Sequence, residues 1–87
     1  MAIRIDAETG GTTTVLHIAG RLETGGASEL EALVREAEGR VLLDLSSLDD
    51  ADPTGLATLR RLEAAGVTLR GVTPYLALRL ARGAAAR

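Results

Sequence analysis

The sequence predicts an α/β fold: a mixed β-sheet with right-handed βαβ crossovers, in the element order β-β-α-β-α-β-α. Three observations carry this. The run Arg40-Val41-Leu42-Leu43-Asp44-Leu45 is short and nearly uniformly apolar, as suits a strand buried on both faces. A polar elbow, Ser46 to Gly55, hands that run to a helix-period segment, Leu56 to Ala65, which Gly66 stops. Strand-like and helix-like segments then alternate toward the C-terminus, which implies parallel pairing through helical connections.

Taken in order, Ala2 to Asp6 reads as a first strand with Ile3 and Ile5 on one face. Glu8-Thr9-Gly10-Gly11 reads as a turn, and Thr12 to Ala19 as a second strand, the two forming a hairpin. Gly20 to Gly26 is a connection in which Leu22 tucks inward. Ala27 to Glu38 has the clearest amphipathic spacing, with Leu30, Leu33, Val34 and Ala37 at i, i+3, i+4, i+7. Its Glu29, Glu31, Arg35, Glu36 and Glu38 are expected to face water, with Glu31 and Arg35 as an i, i+4 pair worth about 0.2–0.5 kcal/mol. In the second helix Asp52 is the expected N-cap, Pro53 the first helical residue, and Leu56, Leu59 and Leu62 the buried face. Val67 to Arg70 reads as a fourth strand. Thr73-Pro74 repeats the cap-plus-proline start before a third helix, Tyr75 to Arg82. The expected organisation is one domain over residues 1–83 and a flexible tail over 84–87.

Composition narrows the function classes. An 87-residue chain makes one small domain. Its core must be aliphatic, because it has no Phe or Trp and only Tyr75 among the aromatics. No cysteine is present, which removes disulfides, thiolate metal sites and a cysteine nucleophile. No apolar run is long enough to span a bilayer, and the N-terminus lacks a basic-then-apolar signal pattern. A cytoplasmic protein without direct membrane insertion is therefore expected. The net charge of −2 argues against nucleic acid as a partner. The charge is uneven: residues 1–52 carry eleven acids against four arginines, and residues 53–87 six arginines against Glu63. Acids before helix starts and arginines near helix ends account for this more simply than a dedicated docking face.

Four short segments together resemble the STAS domain, the fold of bacterial anti-sigma-factor antagonists and of sulfate-transporter tails. Gly20-Arg21-Leu22-Glu23 is similar to the family's Gly-x-Leu-Asp, and Val41 to Ser46 to its apolar strand ending Asp-Leu-Ser. Asp52-Pro53-Thr54-Gly55-Leu56 resembles its Asp-Ser-Ser-Gly-Leu elbow, and Gly71-Val72-Thr73-Pro74 its Gly-x-Ser-Pro. The resemblance implies a protein-binding regulatory module and no enzyme. In the family's antagonists the elbow's second Ser is phosphorylated by an anti-sigma factor that is also a kinase, and Thr54 stands at that position. The implied partner face is Asp52, Thr54, Gly55, Thr58 and Arg61, with Glu23 across the groove. The implied partner is an anti-sigma factor of serine/threonine-kinase type. A second expectation is an accessory subunit of a membrane lipid-transport ATPase, since short STAS proteins of that kind are similar in size and near Gly71.

The departures from the family pattern carry consequences of their own. Pro53 replaces the first Ser and stiffens the elbow, and Thr replaces Ser at the acceptor position. Family chains usually continue into another strand and helix, so the resemblance implies a fold shortened at the C-terminus. Val67 to Arg70 would then be a sheet edge. That edge and the leucine-rich third helix (Leu76, Leu78, Leu80) make a docking surface or homodimer seam, against plain core packing as the simpler account.

The remaining chemistry-bearing residues read as structural. Asp44, with Asp49, Asp50 and Asp52 nearby, has the look of a carboxylate cluster at a strand's C-terminal end. Asp52 is accounted for as a cap and Asp49-Asp50 as turn residues, and neither a nearby His nor a ligand loop is evident. No metal and no cofactor are expected. His17 is expected to be a tolerated strand residue. Gly10-Gly11 and Gly25-Gly26 lack the phosphate-loop pattern and its Lys.

Overall fold

The fold is known from a computed structural model, which describes residues 3–85 and their side chains as far as residue 81. The elements are β1 (Ile3–Gly10), β2 (Thr13–Leu22), α1 (Thr24–Glu36), β3 (Arg40–Ala51), α2 (Pro53–Ala64), β4 (Thr68–Arg70) and α3 (Pro74–Ala85). They form one four-stranded sheet in the order β1-β2-β3-β4. β1 is antiparallel to β2, and the β2–β3 and β3–β4 pairs are parallel. The expected fold class and element order hold.

The strands are longer than the sequence predicts, and the reasons are local. β1 and β2 pair from Ile3↔Gly20 to Gly10↔Thr13, so Glu8, Thr9 and Gly10 belong to the ladder and the turn shrinks to Gly11-Thr12. β3 continues through Ser46-Ser47-Leu48-Asp49-Asp50 to Ala51, because Gly20 to Leu22 of β2 extend alongside it. Two register shifts, between His17 and Ala19 and between Gly20 and Arg21, let the polar stretch pair. A bulged, polar continuation does not alternate cleanly, which is why it resembles a loop in sequence. α1 starts three residues earlier than the amphipathic pattern, at Thr24. α3 runs three residues beyond Arg82, to Ala85. The tail expected at 84–87 thus begins inside α3, and residues 86–87 lie outside the described residues.

The core is aliphatic throughout. Leu16, Ile18 and Leu22 from β2 meet Val41, Leu43, Leu45, Leu48 and Ala51 from β3, covered by Ala27 and Leu30 of α1, Leu56, Leu59 and Leu62 of α2, and Leu76 of α3. Both parallel crossovers advance in the same direction along the sheet. With the hand that such units share, α1 and α2 lie on one face. Arg61 of α2 reaches Glu31 of α1 there, so Glu31 joins the two helices instead of facing water with Arg35. Of the three α3 leucines, Leu76 is fully buried, Leu80 packs against the core and Leu78 is 57% exposed. Core packing accounts for two of them.

The opposite face of the sheet carries the side chains of other parity. Asp6 lies beside His17, and His17 beside Asp44, which in turn lies beside Arg70. This face is polar and open, whereas Leu16, Ile18, Leu43 and Leu45 point to the helices.

Candidate functional site

The elbow and the first turn of α2 form a compact tip. Asp52 is the N-cap: its Oδ1 accepts from the Gly55 N–H at 2.8 Å, and its carbonyl accepts from the Leu56 N–H at 2.9 Å. Pro53 occupies the first helical position, where its missing N–H costs nothing and its fixed φ suits the helix. Thr54 follows and is exposed. Its hydroxyl stands in the turn where amide N–H groups lack intrahelical partners and the helix dipole is positive.

The tip is pressed onto the junction of β2 and α1. The Asp52 N–H donates to the Leu22 carbonyl at 3.0 Å. Gly55 lies against that same carbonyl, so closely that a Cβ there would stand 2.4 Å from its oxygen. The glycine is required by this close backbone approach. The contact brings Glu23, next along the chain from Leu22, beside the elbow. Glu23 is the N-cap of α1 but makes no side-chain cap bond, and its carboxylate lies 3.6 Å from the Arg21 guanidinium.

Four of the six expected contact residues, Glu23, Asp52, Thr54 and Gly55, are thus gathered at one tip. The other two sit about one and two turns further along α2 and behave differently. Thr58 is 1% exposed, and its hydroxyl accepts from Arg61 at 3.3 Å. Arg61 also pairs with Glu31 of α1, while its own side chain stays 61% exposed. Gly55 and Thr58 are both buried. They shape the tip from beneath, and the surface open to a visitor is that of Thr54, Glu23 and Arg61.

A third helix buttresses the strand leading into the elbow. Arg79 of α3 donates to Asp50 Oδ1 at 2.7 Å, and the Ala51 N–H donates to the same oxygen at 2.8 Å. The Ala51 N–H, followed by smaller contributions from Tyr75 and Arg79, holds the Asp50 carboxyl below its ordinary range. Arg79 also donates to the Tyr75 hydroxyl at 2.9 Å and lies 5.7 Å from the centre of its ring, within cation–π reach. Asp50 therefore has a structural duty that a turn assignment missed. The signal lay 29 residues away in sequence.

Sequence reasoning also missed the cluster on the open face. The parallel register sets His17 directly opposite Asp44, so a histidine does stand near that carboxylate. His17 Nδ1 is 2.9 Å from Asp44 Oδ2, and Nε2 is 2.9 Å from Glu8 Oε1. Asp44 Oδ1 accepts from the Ser46 N–H at 3.1 Å and from the Ser46 hydroxyl at 2.8 Å. The Glu8 and Asp44 carboxylates raise the His17 pKa, and the two Ser46 bonds, with His17 after them, lower that of Asp44. These donors occupy both Asp44 oxygens. Asp50 and Asp52 are likewise engaged, each by its own donors. Among the described residues no group of three or more His, Cys, Asp or Glu is placed to hold a metal ion.

A family model described as the Mlab STAS domain matches residues 5–84. No curated protein matches the chain. The STAS domain of an anti-sigma-factor antagonist from Rhodobacter sphaeroides is similar at 22% identity, over 79% of this chain and 86% of that one, with a TM-score of 0.61. The anti-sigma-factor antagonist SpoIIAA in its unphosphorylated form is similar at 17% identity, over 94% and 99%, with a TM-score of 0.52. Mglu matches at 32% identity over 75% of this chain but only 18% of its own, with a TM-score of 0.57. The two antagonists share the fold.

Proposed function

The chain belongs to the STAS domain family, and from that premise we propose that it is a protein-binding regulatory module of the anti-sigma-factor-antagonist kind. Its elbow captures a kinase-type anti-sigma factor in the cytoplasm, and phosphorylation of Thr54 releases it. One observation carries this reading: Thr54 is exposed at the tip of α2, on a scaffold pinned by Asp52 and Gly55. A phosphate on Thr54 adds about −1.5 to −2 charge to a tip that already holds Glu23 and Asp52. The free helix end tolerates that charge. A partner packed on the tip meets it desolvated and unpaired, which favours release. Thr54, Glu23 and Arg61 make the direct contacts, while Asp52, Gly55 and Thr58 hold their geometry.

The test is incubation with ATP and the kinase-type proteins encoded by the same genome, read by mass spectrometry at Thr54. Partner binding is then compared for Thr54→Ala and Thr54→Glu. Modification at Thr54 with binding lost only in Thr54→Glu supports the switch. Equal binding by both variants sinks it.

A second reading is favoured by α3, where Tyr75 is 48% and Leu78 57% exposed. A permanent partner covers such residues, and the matching family model bears the Mlab description. In this reading the chain is an accessory subunit of a membrane lipid-transport ATPase. Stable co-purification with such an ATPase, weakened by Leu78→Asp and indifferent to kinase treatment, selects it over the switch.

A further inference from the structure

The long free edge of the sheet is β1. Its eight-residue ladder with β2 is regular from end to end. It has no proline, no lysine and no bulge, three of the devices that protect an edge, and its charges are of mixed sign. The other edge, β4, offers three residues.

The core face of β1 is also left partly uncovered. Ile5 lies opposite Ile18, and Ala7 opposite Leu16, and both partners are fully buried. Yet Ile3 and Ile5 are half-buried and Ala7 is exposed. The charges, Arg4, Asp6 and Glu8, all stand on the other face, with Arg4 Nε 3.2 Å from Asp6 Oδ2.

We propose that β1 is the docking edge for a second copy of this chain, paired antiparallel so that two four-stranded sheets join into one. The order of charges selects the register. Directly opposed residues on antiparallel strands share a face, so two-fold pairing sets odd positions against odd and even against even. Centred on Ile5, Arg4 of each copy faces Asp6 of the other, giving two opposite-charge pairs. Centred on Arg4, Asp6 or Glu8, a like-charged pair falls on the axis. Centred on Ala7, Asp6 faces Glu8 twice. Registers centred on Ile3 or Thr9 avoid like-charge opposition too but make no opposite-charge pair, so among the described residues the Ile5 register alone combines the two. It also sets Ile5 against Ile5 and Ile3 against Ala7, covering the apolar side chains that the monomer leaves open.

The proposal is independent of the elbow and its partner. The experiment is sedimentation equilibrium of the full chain across a range of concentrations, with a charge-swap set. Arg4 and Asp6 side chains are 77% and 62% exposed, so Arg4→Asp and Asp6→Arg leave the core untouched, and unchanged thermal melts verify this. The expected result is a monomer–dimer equilibrium in which each single variant weakens self-association about ten-fold or more. A mixture of the two variants associates again, and so does the double variant alone. A chain that stays monomeric, a dimer indifferent to the swaps, or a mixture that fails to associate overturns the proposal.

Discussion

The imidazole of His17 stands 2.9 Å from the carboxylate of Asp44 and joins two strands whose residues lie 27 apart in sequence. The other ring nitrogen meets Glu8 of β1 at the same distance, so one side chain ties the three strands together. A carboxylate only accepts hydrogen bonds, so both contacts exist together only when both ring nitrogens carry protons.

The pH dependence follows from that requirement. The folded-state pKa of His17 is raised, first by Glu8 and then by Asp44. Its stabilisation is fully present below the unfolded value of about 6.5 and fades as pH rises through the folded one. Asp44 is shifted down, so its contribution is present above the ordinary carboxylate range and fades as pH falls through its lowered pKa. Denaturant titrations of the wild type and His17→Gln should converge above the His17 pKa and diverge at mildly acidic pH. Parallel curves would show that the His17 pKa is the same in the folded and the unfolded chain.

Gly55 and Gly25 should respond oppositely to alanine. At Gly55 the added Cβ meets the Leu22 carbonyl oxygen at 2.4 Å, and backbone atoms cannot step aside cheaply. Gly55→Ala is expected to cost about 1–3 kcal/mol and to disturb the seating of the elbow. Gly25 lies in α1 with nothing within 4 Å, so Gly25→Ala should be neutral or stabilise by about 0.4–1 kcal/mol. Chemical denaturation of the two variants checks both signs.

Asp52→Ala removes the N-cap bond to the Gly55 N–H and should cost about 1 kcal/mol. Asp52→Asn and Asp52→Ser keep an acceptor and should recover most of it. Amide hydrogen exchange should report the loss at the first turn of α2, around Thr54, ahead of the helix centre. Uniform loosening of the whole chain would contradict a local cap.

Arg79→Ala breaks the contact between α3 and Asp50. Both partners are partly exposed, with side chains at 28% and 30%, so the expected loss of stability is small. A double-mutant cycle with Asp50→Asn should show coupling, since the two groups touch. Hydrogen exchange should increase in α3 first. Additive effects would show that the Arg79–Asp50 contact contributes nothing to the docking of α3.

Much of the architecture was legible because it is written in local chemistry. Val41 to Leu45 has the continuous apolar character of a doubly covered strand. Asp52-Pro53 and Thr73-Pro74 carry helix starts in their own side chains: Asp52 caps Gly55, and the Thr73 hydroxyl accepts from Leu76. Gly66 marks the end of α2, where its φ of 109° is open to glycine. The exposure of Thr54 follows from its place in a capped first turn.

Other features were set only when distant strands and helices met. The polar half of β3 is a strand because β2 shifts register to accompany it, and no residue in Ser46 to Ala51 announces that. Thr58 is expected on the partner face, yet it is buried, and the arginine that donates to its hydroxyl pairs with Glu31 of α1. His17 was unremarkable in its own strand until parallel pairing set it against Asp44 and the hairpin brought Glu8 to its other side. The sequence by itself determined the order of the elements and the starts of α2 and α3, since caps, turns and periodicity act within a few residues. The tertiary structure alone decided which charges became partners, because ion pairs depend on register and helix packing, and those are properties of the assembled sheet.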